Sequence, residues 1–229
     1  MLKFQQNLKN MKNYYKVLKN CPLFKGIMEE DLSKLLNCLG AKVIEFDKKY
    51  TIIAEESLSK QVGVMLLGSA NINKTDYYGN RSILSNVKEG EIFGEAFACA
   101  EVPSAVSVIA EEYCKVLFIE SSRILSSCSN GCLFHQKLIY NLMHDIALKN
   151  VAFHQKMQIT SKRTTRERLL AYLNFCARQK GSNYFEIPFD RQELADYLQV
   201  DRSGLSVEIG KLKNEGLIEN FKNRFRLLK

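Results

Sequence analysis

Three stretches of this sequence hold residue types whose spacing could do chemistry. The first is GEAFACAEVPSAVSVIA, Gly94 to Ala110: a Gly-Glu pair, a run of small residues, a turn carrying Pro103, then a Ser/Ala/Val strand. Such a layout suits a loop wrapped around a phosphate, and a buried phosphate wants a cationic partner. No Lys or Arg occurs between Lys88 and Lys115. The second stretch is CSNGCLFH, where Cys128, Cys132 and His135 could supply three metal ligands, or the two thiols could close a disulfide. The plainer reading is two partly buried thiols leading into a helix. The third stretch is DRQELADYLQVDRSGLSVEIGKLKNEGLI, Asp190 to Ile218, which carries the hydrogen-bonding side chains Arg202, Ser203, Ser206 and Lys211.

Enzyme signatures are missing. There is no GxSxG motif and no Walker loop. A metal-dependent barrel enzyme needs several His ligands, yet the three His residues are His135, His144 and His154, nine and ten apart rather than four. The expectation is a protein that is not an enzyme, with no resident metal or cofactor.

Charge is distributed unevenly. The net charge is +8. Residues 160–229 carry +5, residues 1–20 carry another +5, and the middle is left at −2. A mildly acidic body with a basic C-terminal segment suits contact with a polyanion there; the bland alternative is a solvated face. With 229 residues, of which 46% are hydrophobic, the chain is long enough for two modest domains. No apolar run is long enough for a membrane span, and the N-terminus lacks an export signal. Seven scattered cysteines then read as reduced thiols of a cytoplasmic protein.

The elements that must position these residues follow from periodicity. GIMEEDLSKLLNCL places Leu32, Leu35, Leu36 and Leu39 on one face of a short helix. Between residues 40 and 120, KVIEFD, GVMLLGSANINKTD, RSILSNV and CKVLFIE read as strands separated by turn signals, which points to an antiparallel sandwich or jelly roll. After Gly131 the period changes. A heptad reading puts Ile139, Ile146 and Phe153 at one seam position and Met143, Asn150 and Met157 at the other, a seam for pairing with a second copy. The alternative is a helix packed on its own domain. Further on, Asp190 with Glu193 forms a capping box, Gln199-Val200 turn the chain, Asp201 caps a second helix, and Gly216 ends it. LIENFKNRFRLL then reads as a hairpin turning near Lys222-Asn223, which completes a winged helix-turn-helix. The lysine-rich N-terminus spaces Leu2, Phe4, Leu8, Met11 and Tyr15 around a lead-in helix.

At this point the chain from about Cys21 onward resembles the Crp/Fnr superfamily of bacterial transcription regulators. The residues that carry the likeness are PLFKGI, VMLLGSANI, GEIFGEAFACAEVP, the long helical stretch, KRTTRERLLAYL and IPFDRQELADYLQVDRSGLS. The resemblance implies an α+β protein with four parts: a basic lead-in over 1–20, an effector-sensing β-roll of the cyclic-nucleotide-binding type over 21–130, a dimerisation helix over 131–160, and a winged helix-turn-helix over 161–229. It implies a homodimer on palindromic double-stranded DNA, working with RNA polymerase and under effector control.

Two departures matter. Cyclic-AMP-binding relatives follow the Gly-Glu pair with an Arg-Ser pair whose Arg holds the cyclic phosphate; here Ser104 and Ala105 stand in that place. The shape of the cassette is kept, so Gly94, Glu95, Ala96, Phe97, Ala98, Cys99, Val102, Ser104 and Ala105 are expected to line a pocket for a small-molecule effector other than a cyclic nucleotide. Otherwise Glu95 caps a turn and the pocket is filled core. Many relatives also read DRSALSRE where this chain reads DRSGLSVE, with Val207 at the second arginine position. Arg202, Ser203, Ser206 and Val207 remain candidate base or backbone contacts, and Arg163, Lys211, Arg224 and Arg226 candidate phosphate contacts. Two rival readings stay open: a redox- or metal-responsive regulator using Cys128 and Cys132, and a ligand-binding interaction protein with weakened DNA specificity.

Overall fold

A computed structural model describes residues 3–6, 13–75, 77, 81–126 and 133–228. They group into two compact units, Met1–Leu148 and Lys149–Lys229.

The first unit is a β-roll. One antiparallel sheet has five strands in the order β1-β2-β9-β4-β7, and a second has four in the order β3-β8-β5-β6. The strands are β1 (Lys3–Gln6), β2 (Lys42–Phe46), β3 (Thr51–Ile53), β4 (Gln61–Leu67), β5 (Ala70–Thr75), β6 (Arg81–Val87), β7 (Ile92–Phe93), β8 (Ser107–Ala110) and β9 (Cys114–Glu120). The apolar runs VGVML and VLFI follow from burial on both faces of the five-stranded sheet. Met65, Val116 and Phe118 point into a core shared with Ile53, Ala70, Val87, Val108 and Ala110 of the other sheet. Their neighbours Val62, Val64, Leu66, Leu117 and Ile119 face the opposite way. They pack there on Leu32, Leu35 and Leu36 of α2 (Glu29–Cys38), Ile124 of α4 (Ser121–Leu125), and Leu138 and Leu142 of α5 (Leu133–Thr160). Gly63 is glycine for a packing reason: a Cβ there would lie 2.5 Å from the Phe93 ring.

The N-terminal lead-in differs from expectation. Instead of one helix it supplies β1, which pairs antiparallel with β2, and then a short helix α1 (Tyr15–Asn20). Helical spacing of apolar residues loses here to an open edge on β2, whose backbone groups gain partners by adding a strand. Leu2, Leu8 and Met11 lie outside the described residues.

The second unit is built around Leu169, Leu173, Leu194, Leu198, Leu205, Ile209 and Leu212, all buried together. It comprises the end of α5, then α6 (Thr165–Lys180), β10 (Tyr184–Glu186), α7 (Arg191–Leu198), α8 (Arg202–Asn214), β11 (Ile218–Phe221) and β12 (Arg224–Leu227). The three strands form a sheet in the order β10-β12-β11. The expected hairpin is present, with Lys222 at φ 53° in its turn, and β10 is a third strand that the turn signals did not mark.

Candidate nucleic-acid interface and effector cassette

The helix-turn-helix is fixed by its caps. Asp190 accepts from the Glu193 amide at 2.8 Å while Glu193 accepts from the Asp190 amide at 2.7 Å, so both ends of the capping box are made. Asp201 accepts from the Gly204 amide at 2.8 Å and from the Ser203 hydroxyl. These bonds to the charged form hold the Asp201 carboxyl below the usual carboxylate range, the Ser203 hydroxyl being the largest cause. The turn between the helices needs Gln199 at φ 55°, and Arg168 pins it from α6 by donating to the Leu198 and Gln199 carbonyls at 3.2 and 2.8 Å. Arg168 was invisible to motif reading because its partners are backbone oxygens thirty residues away.

With Leu205, Ile209 and Leu212 buried, α8 turns its other side outward. Arg202, Ser203, Ser206, Val207 and Lys211 are all exposed there. Ser203, Gly204, Val207, Glu208 and Lys211 line a shallow concavity with Thr164, Thr165 and Arg166. The Ser206 hydroxyl donates to the Arg202 carbonyl at 3.0 Å. Val207 is 57% exposed, an apolar side chain held out with no packing role.

Several of the expected phosphate contacts carry carboxylate partners. Lys211 is 2.7 Å from Glu208, Arg224 is 3.3 Å from Glu186, and Arg226 is 3.7 Å from Glu219. Such exposed pairs are weak, so a phosphate could exchange for the carboxylate at small cost. Arg163 is exposed beside the Thr164 cap of α6. One residue that motif reading passed over belongs with them. Arg191 is the first residue of α7, as Arg202 is of α8, and it lies within reach of the Arg202 charge. Burial, and then the Arg202 charge, hold the Arg191 pKa below its ordinary value. Lys222 of the hairpin turn lines the same hollow as Arg191. The signal was available in sequence: both arginines directly follow an Asp cap, in DR and DR.

In the first unit, Gly94 adopts φ 75° and precedes a one-and-a-half-turn helix, α3 (Glu95–Ala100). Glu95 and Ser104 are buried, Phe97 and Cys99 are partly so, and Ala96 and Ala105 are exposed. Burial, and then the Glu95 charge, push the Cys99 thiol pKa up, away from the thiolate form. Ser104 is tied down on three sides. Its hydroxyl donates to the Val106 carbonyl at 2.7 Å, its amide to the Ser57 carbonyl at 2.9 Å, and its carbonyl accepts from the Glu56 amide at 2.7 Å.

On α5, Met143, Phe153 and Met157 are exposed, as is Asn150. Ile139 and Ile146 are half-buried, and Ile146 packs on the β-roll core. Cys128 and Cys132 lie outside the described residues. His135 is buried, with Nε2 2.9 Å from the Arg123 carbonyl. Among the described residues no group of three His, Cys, Asp or Glu is placed to hold a metal ion.

Comparison with known proteins decides the family. A family model described as the cyclic nucleotide-binding domain matches residues 43–130, and one described as the Crp-like helix-turn-helix domain matches residues 167–229. The chain belongs to the Crp/Fnr superfamily. Within reach of this Crp/Fnr chain is the nitrogen fixation regulation protein FixK of Rhizobium meliloti, 28% identical over 170 residues, which are 73% of each chain. The cGMP-dependent protein kinase 2 of Rattus norvegicus is 22% identical over 206 residues, 89% of this chain but 26% of the kinase. The rice potassium channel KAT1 matches at 23% identity over 59% of this chain and 18% of its own length. The chain thus spans about a fifth to a quarter of these two longer relatives. Among solved structures, CprK in complex with OCPA gives a TM-score of 0.61 at 13% identity, covering 86% of this chain and 89% of that one. A putative cAMP-binding regulatory protein from Silicibacter pomeroyi DSS-3 gives 0.50 at 20% identity, covering 95% of each. At these identities the structures share the fold.

Proposed function

We propose that this chain is a DNA-binding transcription regulator that acts as a homodimer on a palindromic operator and answers to a small-molecule effector other than a cyclic nucleotide. The observation that carries the DNA reading is α8: its caps, its buried Leu205, Ile209 and Leu212, and an outward face of Arg202, Ser203, Ser206, Val207 and Lys211. A helix held this way can enter a major groove, with Arg191 and Lys222 flanking it for phosphates. Val207 cannot donate a hydrogen bond but can touch a thymine methyl, which shifts the expected operator away from guanine at that position. The exposed apolar residues of α5 favour a two-fold dimer, which would space two recognition helices for half-sites one turn apart.

The effector reading rests on the cassette. Its Gly-Glu turn is formed, but the place of the phosphate-holding Arg is taken by buried Ser104, whose polar atoms are already bonded to the protein. The part played is regulatory rather than catalytic, RNA polymerase is the expected further partner, and the cytoplasm the expected site. No helix among the described residues is long and apolar enough to cross a membrane. Titration calorimetry against cyclic AMP tests the effector statement: no heat at micromolar ligand is expected, and micromolar binding would overturn it. Selection of duplexes from a random pool tests the DNA statement: a two-fold symmetric consensus is expected, and recovery of unrelated sequences would overturn it.

A further inference from the structure

The cassette loop has no cation of its own, yet one reaches it from another strand. Lys74, on β5, donates from Nζ to the Ala105 carbonyl at 2.9 Å. Ala105 stands where the family's Arg-Ser pair would end. The same Nζ is 2.5 Å from Glu55 Oε1, on the loop after β3. Both ends of the cassette meet the stretch of chain from β3 to the start of β4. A Cβ on Gly94 would lie 3.0 Å from Ile53 Cδ1 and 3.4 Å from the Gln61 carbonyl, and Ser104 bonds the backbone at Glu56 and Ser57. A carboxylate therefore already sits on the ammonium group of Lys74 at the cassette, and it comes from the protein.

From this we infer that Lys74 is the anion-recognising residue of the effector site and that its ligand is a small organic carboxylate, which enters by displacing Glu55. The inference rests on reading the β-roll as an effector domain. The choice of carboxylate over phosphate follows from donor count. With Glu55 displaced, the Ala105 carbonyl still holds one of the three donors on Nζ and two remain, enough for the oxygens of one carboxylate. A phosphate is better served by several donors or a planar fork. Glu55 shows that a carboxylate fits the point.

Displacement is inexpensive. Lys74 is half-exposed and Glu55 about one-fifth exposed, and surface pairs typically shift an equilibrium by a factor of about five or less. Glu55 keeps its second partner, the Thr75 amide at 3.3 Å, and can turn to water. Occupancy would thus remove the Glu55–Lys74 link between that loop and the cassette, while the two backbone bonds of Ser104 to Glu56 and Ser57 stay in place. A ligand that releases Glu55 would change the freedom of the loop between β3 and β4, and this is the regulatory consequence.

The test uses the full chain and acetate as the minimal carboxylate, titrated against chloride at constant ionic strength. Amide shifts of Lys74 and Ala105 are read by NMR in wild type, Glu55→Gln, Lys74→Arg and Lys74→Met. Glu55→Gln removes the internal competitor on the surface and should saturate at acetate concentrations about fivefold lower than wild type. Lys74→Arg should still respond, and Lys74→Met should not. If Glu55→Gln responds to acetate no differently from chloride, or Lys74→Met saturates like wild type, the inference is wrong. A duplex mobility shift on the same samples keeps the two readings separate, since loss of DNA binding with an intact acetate response sinks only the regulator.

Discussion

Phe153→Ala should weaken the dimer without weakening the fold. Phe153 lies on α5 and is 65% exposed in the single chain, so it contributes little to the stability of its own unit. Fully burying a phenylalanine stabilises by about 1.5–3 kcal/mol, so covering the two-thirds still exposed is worth about 1–2 kcal/mol per chain. A two-fold axis uses the contact twice, so the dimer loses about 2–4 kcal/mol, or about 30- to 1,000-fold in Kd. Sedimentation velocity over a concentration series measures this directly, with thermal unfolding of the same samples as the control. Ile146 is a poorer choice, because it packs partly on the β-roll core and its substitution would mix folding with association. An unchanged dimer Kd in Phe153→Ala, or a wild-type monomer at micromolar concentration, would refute the α5 seam.

Three further outcomes follow from α8 and its caps. Gly204→Ala should raise the thermal midpoint, because the new Cβ meets Asp201 Oδ2 at an ordinary 3.6 Å and the helix gains about 0.5–1 kcal/mol; a fall would mean that the backbone there needs glycine. Asp201 has a folded pKa below its unfolded value, so its stabilising contribution is complete above the unfolded pKa and is lost as pH falls through the folded pKa. Acid unfolding below pH of about 4 should therefore lose part of its pH dependence in Asp201→Asn. Val207→Arg should add a guanine preference at one position per half-site, worth about 1–3 kcal/mol, seen as a changed consensus in duplex selection; an unchanged consensus would place Val207 outside the groove.

The helix-turn-helix was legible in sequence because each of its devices is local. Asp190 and Glu193, Asp201, Gly216 and the leucine spacing all act within one or two turns, and the structure places each as expected. The strands of the roll were legible as apolar runs, though the run VGVML hid its two faces until the helices of one side and the second sheet of the other were in place. What escaped were pairings distant in sequence. KFQQ carries no alternation and becomes a strand only because β2 offers an edge. The cassette's own residues carry no cation, while Lys74 reaches Ala105 from 31 residues away. Arg191 escaped for a different reason. It opens a helix that looked like scaffold, although, like Arg202, it directly follows an Asp cap.

Sequence-specific DNA binding through α8 carries the proposed function. Its most direct measurement is the affinity of the full chain for a selected palindromic duplex and for a scrambled duplex of equal length, each across a salt series. A ratio of about a thousand or more is expected near physiological salt, with both affinities falling as salt rises. A ratio near one, with the two curves falling together, would contradict it and leave only a basic surface attracted to a polyanion.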